Sequence, residues 1–152
     1  MKKLILLALI AAAFVFEVNA QSVQYKVITS VESIVPMGLG RSRIIEEKSP
    51  IDAQAFTTER TDGKKSKQSK VKRKDAKVDK FAETKLLNFY SVAGINFQNV
   101  ASNDAILSSK INTLVSEGWE LSFVTSAVES DSGKGDGKGI FITRYIFKKN
   151  NI

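Results

Sequence analysis

The sequence predicts an α+β domain, a mostly antiparallel sheet packed against at least one helix, and three observations carry that prediction. Residues 23–35 alternate apolar and polar side chains. A run after Ser102 repeats its apolar residues at helical spacing. Two extended stretches, ELSFVTSAVE and GIFITRYIFKK, close the chain around a glycine-rich connection.

The alternating stretch is VQYKVITSVESIV. Val23, Tyr25, Val27, Thr29 and Val31 share one face, and Gln24, Lys26, Ser30 and Glu32 lie largely on the other, which is the pattern of a half-buried strand. Pro36, Gly38 and Gly40 in PMGLG break it and permit a turn into a second strand around RSRIIEE, so the two form a hairpin. SPIDAQAFTTERT gives a weaker strand signal around residues 55–58. A Lys-rich run follows, with nascent helix expected over residues 71–83. Beyond it, KLLNFYSVAGINFQNVA is rich in aromatic and branched residues, and Gly94 divides it into two short extended pieces.

In SNDAILSSKINTLVSEGWE, Ser102 or Asn103 is placed to cap a helix, and Asp104 complements its positive end. Leu107, Ile111, Leu114 and Val115 form its apolar face. Gly118 is placed to end the helix in a left-handed conformation, with Trp119 folding back on the last turn. In the last strand Phe141, Thr143, Tyr145 and Phe147 share one face and Ile140, Ile142, Arg144 and Ile146 the other. A strand apolar on both faces belongs inside a sheet or between layers.

The first twenty residues, MKKLILLALIAAAFVFEVNA, combine a Lys2-Lys3 head, an apolar middle and the small-residue ending Val18-Asn19-Ala20. They read as a secretory signal peptide, 1–20, cleaved after Ala20, leaving a single domain over 21–152 that lies in the periplasm or outside the cell. The apolar run is shorter than the roughly 20 residues a bilayer span needs, and no later stretch is long enough, so no membrane span is expected in the mature chain. There is no Cys for a disulfide or a lipid anchor.

Charge is concentrated. The chain carries a net +7; without Lys2, Lys3 and Glu17 it has 21 basic and 15 acidic side chains, or +6. Residues 64–80 hold nine basic groups against Asp75 and Asp79, or +7, so the remainder of the mature chain sums to −1. Residues 62–80 therefore read as a flexible basic insertion, since a Lys-, Ser- and Gly-rich run has little apolar surface to offset its ordering entropy. The functional alternative is polyanion binding through Lys64, Lys65, Lys67, Lys70, Lys72, Arg73 and Lys74. Arg73 is the one arginine there, and no aromatic lies between Phe56 and Phe81 to stack on bases. This argues against sequence-specific nucleic-acid recognition and leaves envelope phosphates or acidic glycans as targets. Arg41 and Arg43, beside PMGLG, form a second candidate site for an anion or a protein partner.

Catalytic parts are scarce. The chain has neither His nor Cys, which removes the usual neutral-pH base, thiol nucleophiles and the common zinc ligands. Ser69 and Lys72 have S-x-x-K spacing, but in a solvated run nothing desolvates the lysine. Glu46 with Glu47, and Glu129 with Asp131, read as surface charges. The loop from Ser130 to Gly139 lacks a phosphate-cradling pattern. As a calcium loop it places Gly133 and Gly135 where oxygen ligands are needed, so a hairpin turn is the better reading. No metal and no cofactor is expected. Trp119 reads as core rather than as a pocket wall.

Helix, then EGWELSFV, then a glycine-rich turn, then RYIFKK resembles a small bacterial domain family of unknown function. That family is marked by a Gly-Trp-Glu-Leu turn after its helix and an aromatic, basic final strand. The likeness spans residues 104–149 and rests on Gly118, Trp119, Glu120, Leu121, Ile146, Phe147 and Lys148. Across TKLLNFYS, GINFQN and GIFITRYIFKK the chain is also similar to uncharacterised exported proteins of Gram-negative bacteria. The resemblance implies a fold but no activity or catalytic residue. The expectation is thus a noncatalytic exported binding or interaction module, with polyanion attachment or a carboxylate hydrolase as alternatives.

Overall fold

A computed structural model describes residues 22–33, 41–64, 66–91, 93–128 and 140–151. The expected signal peptide, the PMGLG turn, Lys65 and the loop after Val128 lie outside them. The chain is α+β: among the described residues one helix packs on a five-stranded antiparallel sheet, and two further strands form a separate ribbon. The strands are β1 (Val23–Ser33), β2 (Arg43–Glu47), β3 (Phe81–Lys85), β4 (Tyr90–Ser91), β5 (Gly94–Ile95), β6 (Glu120–Val128) and β7 (Ile140–Asn150). The helix, α1, spans Phe97–Ser116.

The sheet order is β3-β2-β1-β7-β6. β1 and β2 form the expected hairpin, and β7 lies between β1 and β6. β7 is interior because both of its faces carry branched or aromatic side chains. Of the two extended pieces expected around Gly94, only the two-residue strands β4 and β5 form: Gly94, at φ +110°, opens β5, and Phe97–Ala101 of the second piece is helix. The expected strand at residues 55–58 is instead a 3-10 turn, Ala53–Phe56, started by Asp52 accepting from the Gln54 amide. Residues 71–80 form turns, not nascent helix, and the strand β3 begins at Phe81.

α1 begins six residues earlier than the Ser102 cap would place it. Asn96 is the cap: its side-chain oxygen accepts from the Asn99 amide at 3.2 Å. Its other end is as expected. Gly118 adopts φ +87°, the Gly118 amide donates to Val115 and the Trp119 amide to Leu114. These paired bonds satisfy carbonyls that the helix leaves open, and they turn Trp119 back against Leu114 and the core. Gly118→Ala is expected to cost about 1 kcal/mol for the left-handed backbone. The added Cβ would also sit 3.4 Å from Lys149 Cε, a contact the flexible lysine can relieve. A lowered urea midpoint with an unchanged m-value would report it.

The core comprises Ile28, Ile44, Leu86, Leu114 and Phe147, with Ile106, Leu107, Ile111, Trp119 and Tyr145 packed around it. Full burial of such side chains contributes about 1.5–3 kcal/mol each. The register fixes which face of β1 is covered. Tyr145 and Phe147 of β7 stand opposite Ile28 and Lys26, so the even-numbered residues of β1 face α1. The row that the alternation marks as apolar, Val23, Tyr25 and Val27, lies on the other face and is exposed. β1 is half-buried as expected, but by its more polar side. Among the described residues no helix is long and apolar enough to cross a membrane.

Candidate functional site

The inversion of β1 brings polar groups into the interface between sheet and helix. In RIIEE, burial of Ile44 carries Glu46 to the same side, because side chains alternate along a strand. Glu46 is 3 % exposed and stands opposite Ile28. Three lysines from separate parts of the chain converge on it. Lys26 of β1 reaches Oε1 at 3.1 Å, Lys48 beyond β2 reaches Oε1 at 3.0 Å, and Lys110 of α1 donates to Oε2. Burial alone would raise the Glu46 pKa. The hydrogen bonds from Lys110, Lys48 and Lys26 outweigh that and hold it down at about 2. Glu46 is therefore not the surface charge its neighbourhood in sequence suggests; it is an ionised anchor throughout the neutral range.

Trp119 continues the cluster. Lys26 Nζ lies 5.2 Å and Lys149 Nζ 5.9 Å from its ring centroid, within reach of the electron-rich face. Lys149 also donates to the carbonyl of Glu117 at 2.7 Å, placing a cation at the negative end of α1. A shallow cleft of about 390 Å³ opens here, with Tyr25, Lys26, Glu47, Lys48, Pro50 and Trp119 in its wall. Lys26 and Lys48 thus serve both the buried Glu46 and the cleft wall, and Lys149 stands at the end of α1 beside them.

The basic segment is rooted at this corner. The Lys48 amide donates to the Lys80 carbonyl at 3.0 Å, so residues 49–79 leave and rejoin the sheet at one point. Lys64, Lys67, Lys70, Lys72, Arg73 and Lys74 are all exposed along it. The segment carries a second 3-10 turn, Gln68–Lys70, and the Gln68 side chain donates to the Phe56 carbonyl and to Thr58 Oγ1. Ser69 and Lys72 stay exposed.

Arg41 and Arg43 are not part of the corner. Arg41 is exposed ahead of β2, and Arg43 pairs with Glu83 of the neighbouring β3 on the face away from the helix. Glu129 and Asp131 lie outside the described residues. Among the described residues no group of three or more acidic side chains is arranged to hold a metal ion.

Sequence reasoning missed Lys26, Lys48, Lys110, Lys149 and the burial of Glu46. The one local signal was the shared parity of Ile44 and Glu46; convergence of lysines so distant in the chain leaves no short motif. No protein-family model matches this chain, and neither a curated protein nor a solved structure matches it.

Proposed function

We propose that the protein is an exported, noncatalytic module that binds an anionic polymer of the cell envelope, one bearing carboxylate or phosphate groups. The observation that carries the reading is the junction of two basic features: the exposed segment 64–80 springs from Lys48 and Lys80, beside the lysine-rich corner around Trp119. Lysine ammonium groups act as point charges without the planar fork of arginine, which suits charge density over the shape of one anion. Glu46 is locked in its ionised form by three lysines, the chemistry of an anchor and not of a proton donor at neutral pH. The signal-like residues 1–20 support export. The acidic glycan and the phosphate polymer share this electrostatics.

The single tryptophan provides the readout. Its fluorescence is titrated with polygalacturonate, with polyphosphate and with neutral dextran across a salt series. Six or more contacts predict a loss of affinity on the order of a thousandfold or more between roughly 50 and 200 mM salt. Changing Lys64, Lys65, Lys67, Lys70, Lys72, Arg73 and Lys74 to Gln removes most of that slope. A stronger response to one anionic polymer identifies the source of the charge. Absence of binding to both at low salt, or binding indifferent to salt, rejects the reading.

A further inference from the structure

We infer that the cleft beside Trp119 is a subsite for one sugar ring of a uronic acid polymer, with Tyr25 as the stacking platform and Lys48 as the partner of the carboxylate. This subsite rests on the anionic-polymer reading and assigns that polymer to the glycans. The cleft exists because β1 outruns β2. Pairing with β7 begins at Val23, whereas pairing with β2 covers Ile28 to Val31. Beyond Glu47 the chain turns away at Lys48, Ser49 and Pro50, and Val23, Gln24 and Tyr25 stay exposed. The opening, about 390 Å³, lies within the roughly 300–1,000 Å³ of small-molecule sites.

Three kinds of chemistry meet in its wall. Tyr25 is 67 % exposed, so its ring contributes little to the core and is free to receive a ligand. The carbon-bound hydrogens of a pyranose face carry slight positive charge and stack on the electron-rich face of such a ring. Lys48 is half exposed; of the three hydrogens on its ammonium group the bond to Glu46 uses one, which leaves two for a carboxylate. Gln24 and Ser49 add the donors and acceptors that ring hydroxyls require.

Glu47 separates the two sources of charge. Its exposed carboxylate lines the same wall, where it repels a polymer charged at every phosphate. It accepts hydrogen bonds from hydroxyls, which a uronic acid polymer presents beside each carboxylate. A bare phosphate chain has no ring for Tyr25. An oligonucleotide has rings to stack, but its phosphates meet the same repulsion. The cleft adjoins the root of the basic segment at Lys48 and Lys80, so neighbouring carboxylates of one glycan can meet the lysines of 64–80.

Isothermal titration of the purified protein with polygalacturonate, polyphosphate and oligothymidylate at low salt provides the test. Tyr25→Ala is expected to weaken polygalacturonate binding roughly five- to tenfold and to leave polyphosphate binding unchanged. Tyr25→Phe, which keeps the ring, retains the wild-type affinity. Glu47→Gln is expected to tighten polyphosphate binding and not that of polygalacturonate. Because Tyr25 and Glu47 are exposed, these variants should keep a urea transition near that of wild type. If wild type binds neither anionic polymer, the anionic-polymer reading falls and the subsite with it. If wild type binds both and Tyr25→Ala weakens neither, or both alike, the subsite alone is overturned. Oligothymidylate that binds more tightly than polygalacturonate, and through Tyr25, overturns it as well and makes the stacked ring a base.

Discussion

Glu46→Gln is expected to destabilise the fold by about 3 kcal/mol at neutral pH, and the loss is expected to vanish in acid. The reason is the arrangement around the carboxylate. Glu46 is buried between β2 and α1, yet it is held ionised at a pKa of about 2 against an ordinary 4.5, because three lysines donate to it. A lowered folded-state pKa means that the folded protein resists protonation more than the unfolded chain does. The stability is thus fully present above about pH 4.5 and is lost as pH falls toward 2. A difference of about 2.5 units corresponds to roughly 3 kcal/mol. In the Gln variant Lys26, Lys48 and Lys110 lose their shared partner. Lys48, half exposed, turns to water at little cost, while Lys26 and Lys110 are more enclosed.

Chemical denaturation of both proteins from pH 7 to pH 2 provides the check. The two stability curves should run about 3 kcal/mol apart above pH 5 and close progressively between about pH 4.5 and pH 2. A gap that stays constant to pH 2 would mean that the cost comes from packing and not from the ionised network. Lys48→Gln should cost well under 1 kcal/mol, as exposed ion-pair partners do, since two lysines still serve the carboxylate. The same variants bear on binding only through charge: each lysine removed should lower the salt slope, whereas Glu46→Gln should not.

Local chemistry was the legible part of this chain. Gly118 and Trp119 announce the end of α1 because a left-handed glycine and a returning apolar side chain are decided within a few residues. β7 reads as an interior strand because both of its faces are apolar. The α+β class followed from these elements. What could not be read depends on partners far along the chain. The covered face of β1 is set by its register with Tyr145 and Phe147, which overrides the richer apolar row of Val23, Tyr25 and Val27. Glu46 reads as a surface charge until Lys26 and Lys110 arrive from other elements. The basic segment was plain in composition, but its attachment beside the Trp119 corner is set by the pairing of β2 with β3, which ends at Glu47 opposite Phe81 and is extended by the bond between Lys48 and Lys80.

Asn103→Leu is expected to cost about 2–4 kcal/mol, and Asn103→Asp at least as much at neutral pH. Asn103 resembles a helix cap in sequence, yet it sits inside α1, 3 % exposed. Its carboxamide serves as a missing strand for the chain after β3. Oδ1 accepts from the Leu87 amide at 2.7 Å, and Nδ2 donates to the Leu87 carbonyl at 2.8 Å and to Glu32 Oε1 at 3.1 Å. The preceding Leu86 amide is held by the Ser42 carbonyl at 3.0 Å. Leucine keeps the volume but leaves both backbone groups of Leu87 without their partner, at about 1 kcal/mol each, the low end for an unmade bond, because Leu87 is itself partly open to solvent. Aspartate keeps the shape and the first bond, but turns an oxygen toward the Leu87 carbonyl and a charge toward Glu32. That carboxyl must have a raised pKa, so its penalty should ease as pH falls and protonation restores a donor. Urea titrations at pH 7 and pH 4 separate the cases: the Asp variant should recover relative to wild type in acid and the Leu variant should not. Equal, pH-independent losses would show that Asn103 contributes volume alone, without the hydrogen bonds that tie α1 to the segment leaving the sheet.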